Sequence, residues 1–473
     1  MAADIHRPEI HVTAETGVLN APAGILDNRN VWHMFYQFQP KPGGPARWGH
    51  AIGSDGPLDW DFCDDVLAPE GNEITLRAGS VVPEGEGIGV YFTSATQDNN
   101  TIGYAQATVL PDDCAISDEP SALDGNFHRV GTAVSDREGY TRFRSPCVVP
   151  GWNSEDDRGA GHAGFLMLAV SGPMDAPVPV MLTSSDGQEW DFIGPLTFDG
   201  TAGIELASLV APRIMRLRDE VDGKIYDILL VTQEREGIDH SGYLIGQLVG
   251  AEFRITRGFT RIDYGHDFTR PRNATVIPGT VPEAERHDQA IMFGLLNGVG
   301  RQDDPTRHYS LETEGWVNAL SGPRVVTLQG GLLYQTPVSG LPEMIRATRR
   351  AQSWTGLCEI PSGASVSVSL FNAEGEVACR ITHSGTALTL DRSMDPRFAD
   401  APVTAPLQEG DSDSLTIIVD GSTVEVFADG GQVTMASRVY FDGGCSGIAA
   451  ETTGEAEITR SWQEAGSRIS TRS

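Results

Sequence analysis

The sequence predicts an all-β chain in which a β-propeller is followed by a β-sandwich, and three observations carry this. Short β-branched or aromatic runs, Val31–Gln37, Val90–Ser94, Phe165–Ser171, Tyr226–Gln233 and Ala290–Leu296, alternate with turns rich in Gly, Asp, Asn and Pro, the spacing of sandwiches, barrels and propellers. An internal echo narrows the choice. Ser54-Asp55-Gly56-Pro57-Leu58-Asp59-Trp60-Asp61-Phe62 returns as Ser185-Asp186-Gly187-Gln188-Glu189-Trp190-Asp191-Phe192. Each copy follows one strand-like run and precedes another, as equivalent turns of repeated four-stranded blades would. The third observation is a shift in composition near residue 320.

Taken in order, residues 1–322 are expected to form the propeller. Ser321-Gly322-Pro323-Arg324 then opens a stretch through Gly330-Gly331 and Gly340-Leu341-Pro342, expected as a linker over 323–345. Pro342–Arg350 is the segment with helical spacing. The runs Ala364–Leu370, Ala387–Leu390, Ser414–Val419 and Ser422–Phe427, with Gly-rich turns between them, predict a sandwich over 346–466. The polar residues 467–473 are expected as a tail.

Composition excludes several classes. A formal charge of −31 repels phosphate backbones and anionic lipid, so neither nucleic acid nor a membrane is expected as partner. Forty per cent hydrophobic residues is ordinary for a globular protein, and no apolar run reaches the ~18 residues of a membrane span. Met1–Arg7 lacks a basic stretch followed by an apolar one, which sets the expectation of a cytoplasmic protein. The six cysteines, Cys63, Cys114, Cys147, Cys358, Cys379 and Cys445, lie far apart without zinc-ligand spacing and are expected as scattered reduced thiols. No H-E-x-x-H, G-x-S-x-G or P-loop pattern occurs, and no metal or cofactor is expected.

Six segments, in order, carry a family likeness. Arg7-Pro8-Glu9-Ile10-His11 is similar to R-P-x-x-H. Val18-Leu19-Asn20-Ala21-Pro22-Ala23-Gly24 is similar to W-M-N-D-P-N-G. Phe35-Tyr36-Gln37-Phe38-Gln39-Pro40, with Trp48-Gly49-His50 after it, is similar to F-Y-Q-Y-N-P and W-G-H. Phe143-Arg144-Ser145-Pro146 is similar to F-R-D-P, and Asp263-Tyr264-Gly265-His266-Asp267-Phe268 to D-Y-G-x-D-F. Ile418–Phe427 is similar to V-D-x-S-x-V-E-V-F. Together they resemble glycoside hydrolase family 32, the fructoside-cleaving invertase, levanase and sucrose-6-phosphate hydrolase relatives. The resemblance implies a five-bladed N-terminal propeller, a C-terminal sandwich and a sugar pocket on the propeller axis.

It also implies a missing chemistry. A retaining glycosidase needs two carboxyl groups ~5–5.5 Å apart, one to attack the anomeric carbon and one to protonate the leaving oxygen. The family's nucleophile position holds Ala21, its R-D-P aspartate position Ser145, and its acid/base position Val210, in the frame set by Pro212. Glu205, five residues upstream, is the candidate substitute acid if the loop is displaced; an ordinary surface glutamate is the other reading. Asn20, Gln37, Trp48, Arg77, Arg144 and Ser145 are the candidate substrate contacts. Asn20 and Gln37 suit hydroxyls, Trp48 suits a sugar face, and Arg77 suits an anion such as a sugar phosphate. Each also suits a purely structural role.

Three functions stay open. The first is a catalytically silent relative that binds a fructoside or related carbohydrate, or serves as the partner of an active homologue or of itself in a homo-oligomer. The second is an active glycosidase with displaced carboxylates. The third is a structural protein whose pocket is closed, by Arg77 or Met215 for example.

Overall fold

Alternating apolar runs zip into antiparallel sheets wherever a tight turn lets one run fold back on the last. The computed structural model describes residues 4–467 apart from 30, 120–121, 152–163, 174–175, 299, 303, 305–306, 399–400 and 409–412; most of the expected tail lies outside them. Five consecutive sheets form first. Blade one holds Gly17–Asn28, Val31–Gln39, Arg47–Gly53 and Asp61–Phe62; blade two holds Thr75–Glu84, Gly87–Ala95, Asn100–Ala107 and His128–Val134. Blade three holds Arg144–Pro150, Phe165–Ser171, Val178–Ser184 and Asp191–Pro195. Blade four holds Leu209–Arg218, Ile225–Arg235, Ile238–Val249 and Glu252–Arg261, with Thr197–Asp199 added at its edge. Blade five holds Phe268–Asn273, Ala290–Leu296, Arg324–Gln329 and Leu332–Pro337.

The first strand of each blade touches those of its neighbours in a closed ring, five back to one included, so these strands line the axis of a five-bladed propeller. An apolar cluster fills the wedge between each pair of blades. Trp48, Phe92 and Val81 lie between one and two, and Tyr91, Phe143 and Met167 between two and three. Leu209, Leu168 and Leu229 lie between three and four, Phe268, Met215 and Tyr243 between four and five, and Ile25, Met34 and Phe293 between five and one. Thr275–Val276 and Trp316–Val317 pair in parallel with the inner strand of blade one and help close the circle. The two echoed turns join the third strand to the fourth in blades one and three, the equivalence their sequence implied.

Two expectations are corrected. The stretch 323–345 is not a linker: Arg324–Gln329 and Leu332–Pro337 are the outer hairpin of blade five, and a helix follows at Leu341–Ala347. Gly330 and Gly331, with φ of 57° and 75°, supply the two left-handed residues of its tight turn. The thiols are not all reduced: Cys63 and Cys114 form a disulfide, and Cys147, Cys358, Cys379 and Cys445 are free.

The sandwich follows. Gln352–Glu359, Asp413–Asp420, Thr423–Ala428, Val433–Arg438 and Glu457–Ala465 make one sheet; Ser365–Phe371, Val377–His383, Ala387–Asp391, Val403–Pro406 and Gly447–Thr453 make the other. Val368, Ile381, Ile417, Val426 and Met435 pack between them. Among the described residues no helix is long and apolar enough to cross a membrane.

Three of the family-like segments meet where sandwich and propeller join. Fully buried Arg324 pairs with Asp263 at 2.9 Å and with Glu425 at 2.8 Å. His11 Nδ1 stands 2.8 Å from Asp420, and Arg392 Nη1 2.6 Å from Asp267, which also accepts the Arg438 N–H at 2.7 Å. Gly265 lies so close to the backbone of Ala436 that a side chain there would collide with it. The residues of R-P-E-I-H, D-Y-G-H-D-F and V-D-G-S-T-V-E-V-F therefore hold the two units together.

Candidate functional site at the propeller axis

The inner strands share one local pattern near their starts. Leu19-Asn20-Ala21-Pro22-Ala23, Leu76-Arg77-Ala78-Gly79-Ser80, Phe143-Arg144-Ser145-Pro146-Cys147, Leu209-Val210-Ala211-Pro212-Arg213 and Phe268-Thr269-Arg270-Pro271-Arg272 occupy equivalent places. Each begins with a buried apolar anchor, and each breaks register with the second strand of its blade. Proline donates no N–H, so a bulge in the ladder is where a strand tolerates it. Ser145, Ala211 and Arg270, each just before its proline, have φ of 56°, 47° and 50°. Left-handed backbone of this kind costs of order 1 kcal/mol or more per non-glycine residue and gathers at functional sites.

Hydrogen bonds between blades tie the segments into a ring. Gln37 Oε1 accepts the Ala78 N–H at 2.7 Å, and Trp48 Nε1 donates to the Arg77 carbonyl at 3.2 Å. The Ser145 N–H donates to Thr93 Oγ1 at 2.9 Å, and Arg213 Nη1 reaches the Ser145 and Pro146 carbonyls at 3.2 and 2.9 Å. Arg270 Nη1 donates to the Asn20 carbonyl at 3.3 Å.

The ring brings Asn20, Ala21, Arg77, Arg144, Ser145 and Val210 to one end of the axis. Ala21 pairs in register with Gln37, and Val210 with Thr232. Asn20 Nδ2 donates to Gln39 Oε1 at 3.2 Å while its buried Oδ1 has no partner. Trp48 is a correction: with 0% exposure it fills the wedge between blades one and two, so its indole face is not available to a sugar. Gln37 is half-buried, its carbonyl spent on the Ala78 bond. Glu205 caps the short turn Leu206–Ser208 with its side chain exposed; its N–H donates to Gln233 Oε1 at 2.9 Å. A general acid is ordinarily set in a desolvated pocket. Of the two residues named as plugs, Arg77 is exposed, and Met215 packs between blades four and five.

Asp239 and Arg270 escaped the sequence reading. Asp239, 4% exposed, accepts from Thr269 Oγ1 and from Arg270 Nε, both at 3.0 Å. Ser241 Oγ links to Thr232 Oγ1 at 2.8 Å and accepts the Arg270 N–H at 3.1 Å. The signal was present in Phe268-Thr269-Arg270-Pro271, which repeats the form of Phe143-Arg144-Ser145-Pro146. Behind the ring, Arg213 and Arg272 are 3% and 5% exposed, beside buried Cys147. Burial, then the charge of Arg213, pushes Arg272 well below the ordinary arginine value; burial, then Arg77, lowers Arg144. Arginine nonetheless stays cationic at neutral pH, so this end of the axis is rich in positive charge.

In the sandwich, His383, Asp413 and Asp429 are close enough to share an ion. However, His383 Nδ1 accepts the Gly385 N–H at 3.0 Å, which leaves Nε2 as donor to Asp429 at 2.9 Å. That tautomer serves a structural hydrogen bond.

Comparison with known proteins agrees with this architecture. Residues 11–337 match the model of the glycosyl hydrolases family 32 N-terminal domain, and residues 352–463 match that of the family 32 C terminal. The chain belongs to glycosyl hydrolase family 32. It is 24% identical to sucrose-6-phosphate hydrolase of Bacillus subtilis, over 96% of this chain and 93% of that protein. It is also 24% identical to the levanase of that organism, over 94% and 68% respectively. Among solved structures, a Bombyx mori GH32 β-fructofuranosidase in complex with sucrose superposes with a TM-score of 0.75 at 20% identity, covering 98% of this chain and 95% of that one. Sucrose-6-phosphate hydrolase from Lactobacillus gasseri gives 0.75 at 18% identity, covering 99% and 94%.

Proposed function

We propose that this family 32 protein binds a fructoside or related carbohydrate at the propeller axis and does not hydrolyse it, acting alone or as the silent partner of an active homologue. One observation carries the reading: Ala21, Ser145 and Val210 stand on the ring at the three positions where the family resemblance expects carboxylates. A methyl group cannot attack an anomeric carbon, and an isopropyl group has no proton to give. Removing reacting groups that act as a unit costs nearly all of the chemical acceleration. Among the described residues Asp239 abuts the ring, and it is held by Arg270 and Thr269; exposed Glu205 lacks the burial that suits an acid catalyst. The expected cytoplasmic placement is not kept in this reading, because the Cys63–Cys114 disulfide suits an oxidising compartment.

The test is an assay of purified protein on sucrose, inulin-type oligomers and sucrose phosphate, beside calorimetric titration of the same sugars. Binding without turnover is expected. Turnover well above the buffer rate that Glu205→Gln abolishes would replace this reading with an active glycosidase using a displaced acid.

A further inference from the structure

We propose that a single-atom anion of the halide class sits behind the ring, held between Arg213 and Arg272, and joins the backs of blades three, four and five. Nothing in it depends on which sugar, if any, the ring in front binds.

The residue directly after the proline or glycine of each inner-strand segment belongs to a second tier. These residues are Ala23, Ser80, Cys147, Arg213 and Arg272, and all five are buried. The tier offers a methyl, a hydroxyl, a thiol and two guanidiniums, and no carboxylate. Arg213 and Arg272, 3% and 5% exposed, lie on inner strands that touch each other, and the strand of Arg213 also touches that of Cys147. Arg213 Nη1 donates to the Ser145, Pro146 and Pro212 carbonyls at 3.2, 2.9 and 3.2 Å, which are neutral acceptors. Among the described residues Arg272 makes no hydrogen bond, and neither arginine has a carboxylate partner. The groups whose charge acts on Arg272 are Arg213, which repels it, and the Cys147 thiol; Cys147 acts on Arg213 as well.

Other buried arginines are treated differently: Arg324 has Asp263 and Glu425, and Arg392 has Asp267. Acids are not scarce, since 65 Asp and Glu face only 34 Lys and Arg. A buried lysine or histidine could shed its proton, but arginine cannot, and uncompensated buried charge is among the most destabilising features of a fold. The counter-charge therefore comes from solution. Burial this deep favours a single-atom anion over a sugar or a bulky oxyanion, and the N–H edges of two guanidiniums suit a spherical acceptor. Because Arg213 also holds the Ser145 and Pro146 carbonyls, the anion ties blade three to blades four and five.

Two measurements on the full chain test this. The first is differential scanning calorimetry after dialysis into sodium gluconate, with chloride or bromide then replacing gluconate at fixed ionic strength. The melting temperature is expected to rise saturably, by roughly 3 °C at a halide concentration a hundredfold above Kd, and Arg272→Met should abolish that rise. The second is anomalous diffraction from crystals of the native chain soaked in bromide, with a peak expected in contact with the guanidinium nitrogens of both Arg213 and Arg272. The bromide peak carries the test alone if Arg272→Met fails to fold by circular dichroism. Bromide found at exposed cations and not at Arg272, an adventitious ion only, would overturn the proposal. So would a melting temperature indifferent to the exchange of gluconate for halide, or a halide effect unchanged in folded Arg272→Met. None of these outcomes bears on carbohydrate binding, which the sugar titrations read separately.

Discussion

Replacing Arg324 by methionine tests what joins the propeller to the sandwich. The guanidinium is completely buried. Nη1 donates to Asp263 at 2.9 Å, to Gln335 at 3.0 Å and to Thr434 at 3.2 Å; Nη2 donates to Glu425 at 2.8 Å. Its plane lies over the Phe268 ring at 4.3 Å from the centroid. Each ion pair is worth about 6 kcal/mol at an effective dielectric of ~20, most of it cancelled by the several kcal/mol needed to desolvate each ion. Methionine fills much of the volume but strands two buried carboxylates, so the loss is about 3–5 kcal/mol. With an unfolding entropy of about 1 kcal/mol/K for a chain of 473 residues, that should lower the melting temperature by roughly 3–5 °C. The pH dependence makes the test specific. Burial alone would raise Glu425, but Arg324 and then His11 outweigh it and hold it at about 2. Its stabilising share is therefore present above the ordinary value of 4.5 and lost as pH falls through 2. Without Arg324 the stranded carboxylates take up protons at higher pH. The gap between native and variant should thus be wide at pH 7 and narrower at pH 5, read by differential scanning calorimetry. A melting temperature within about 1 °C of native, or a gap independent of pH, would refute the account.

Two further outcomes follow from groups away from the axis. Burial keeps His33 at about 4 and His50 well below the ordinary 6.5, with the rings stacked and joined at 3.2 Å. The unfolded chain then binds more protons than the folded one between pH 6.5 and 4, so stability is lost as pH falls through that window, by up to about 3 kcal/mol for His33 alone. His33→Phe with His50→Phe should flatten the acid limb of a melting-temperature profile; an unchanged limb counts against the neutral pair. The disulfide is checked by thiol titration in denaturant without reductant, which should find the four free cysteines, Cys147, Cys358, Cys379 and Cys445, and all six after reduction.

Much of this was legible because proline and glycine act locally. The echoed Ser-Asp-Gly turns fall at the same blade junction because a tight turn is specified by the residues inside it. Ala21-Pro22, Ser145-Pro146 and Ala211-Pro212 fixed their frames for the same reason, each proline marking a bulge. Gly330-Gly331 misled for an instructive reason. Two glycines suit a flexible connection and a two-residue hairpin equally; the alternation of Arg324–Gln329, in which every second residue is buried, decides for the hairpin. Trp48 could not be assigned from sequence, since a stacking face and a wedge between blades need the same residue, and what covers it comes from Phe92 and Val81 in the next blade. The Cys63–Cys114 pair was hidden likewise, by a separation of 51 residues that only the fold closes.

The distribution of the family-like motifs separates scaffold from chemistry. Those that place Asp263, Asp267, Asp420 and Glu425 at the junction of the two units have kept their carboxylates, each held by an arginine or a histidine. Those that place Ala21, Ser145 and Val210 on the axis have not. Relaxed constraint on the whole chain would erode both sets alike, because loss of a buried ionic partner costs about 3–5 kcal/mol and is as damaging to a fold as loss of an acid is to catalysis. Under the proposed function this asymmetry is expected, since the carboxylates that join the two units serve the fold and those absent from the axis would have served acetal hydrolysis.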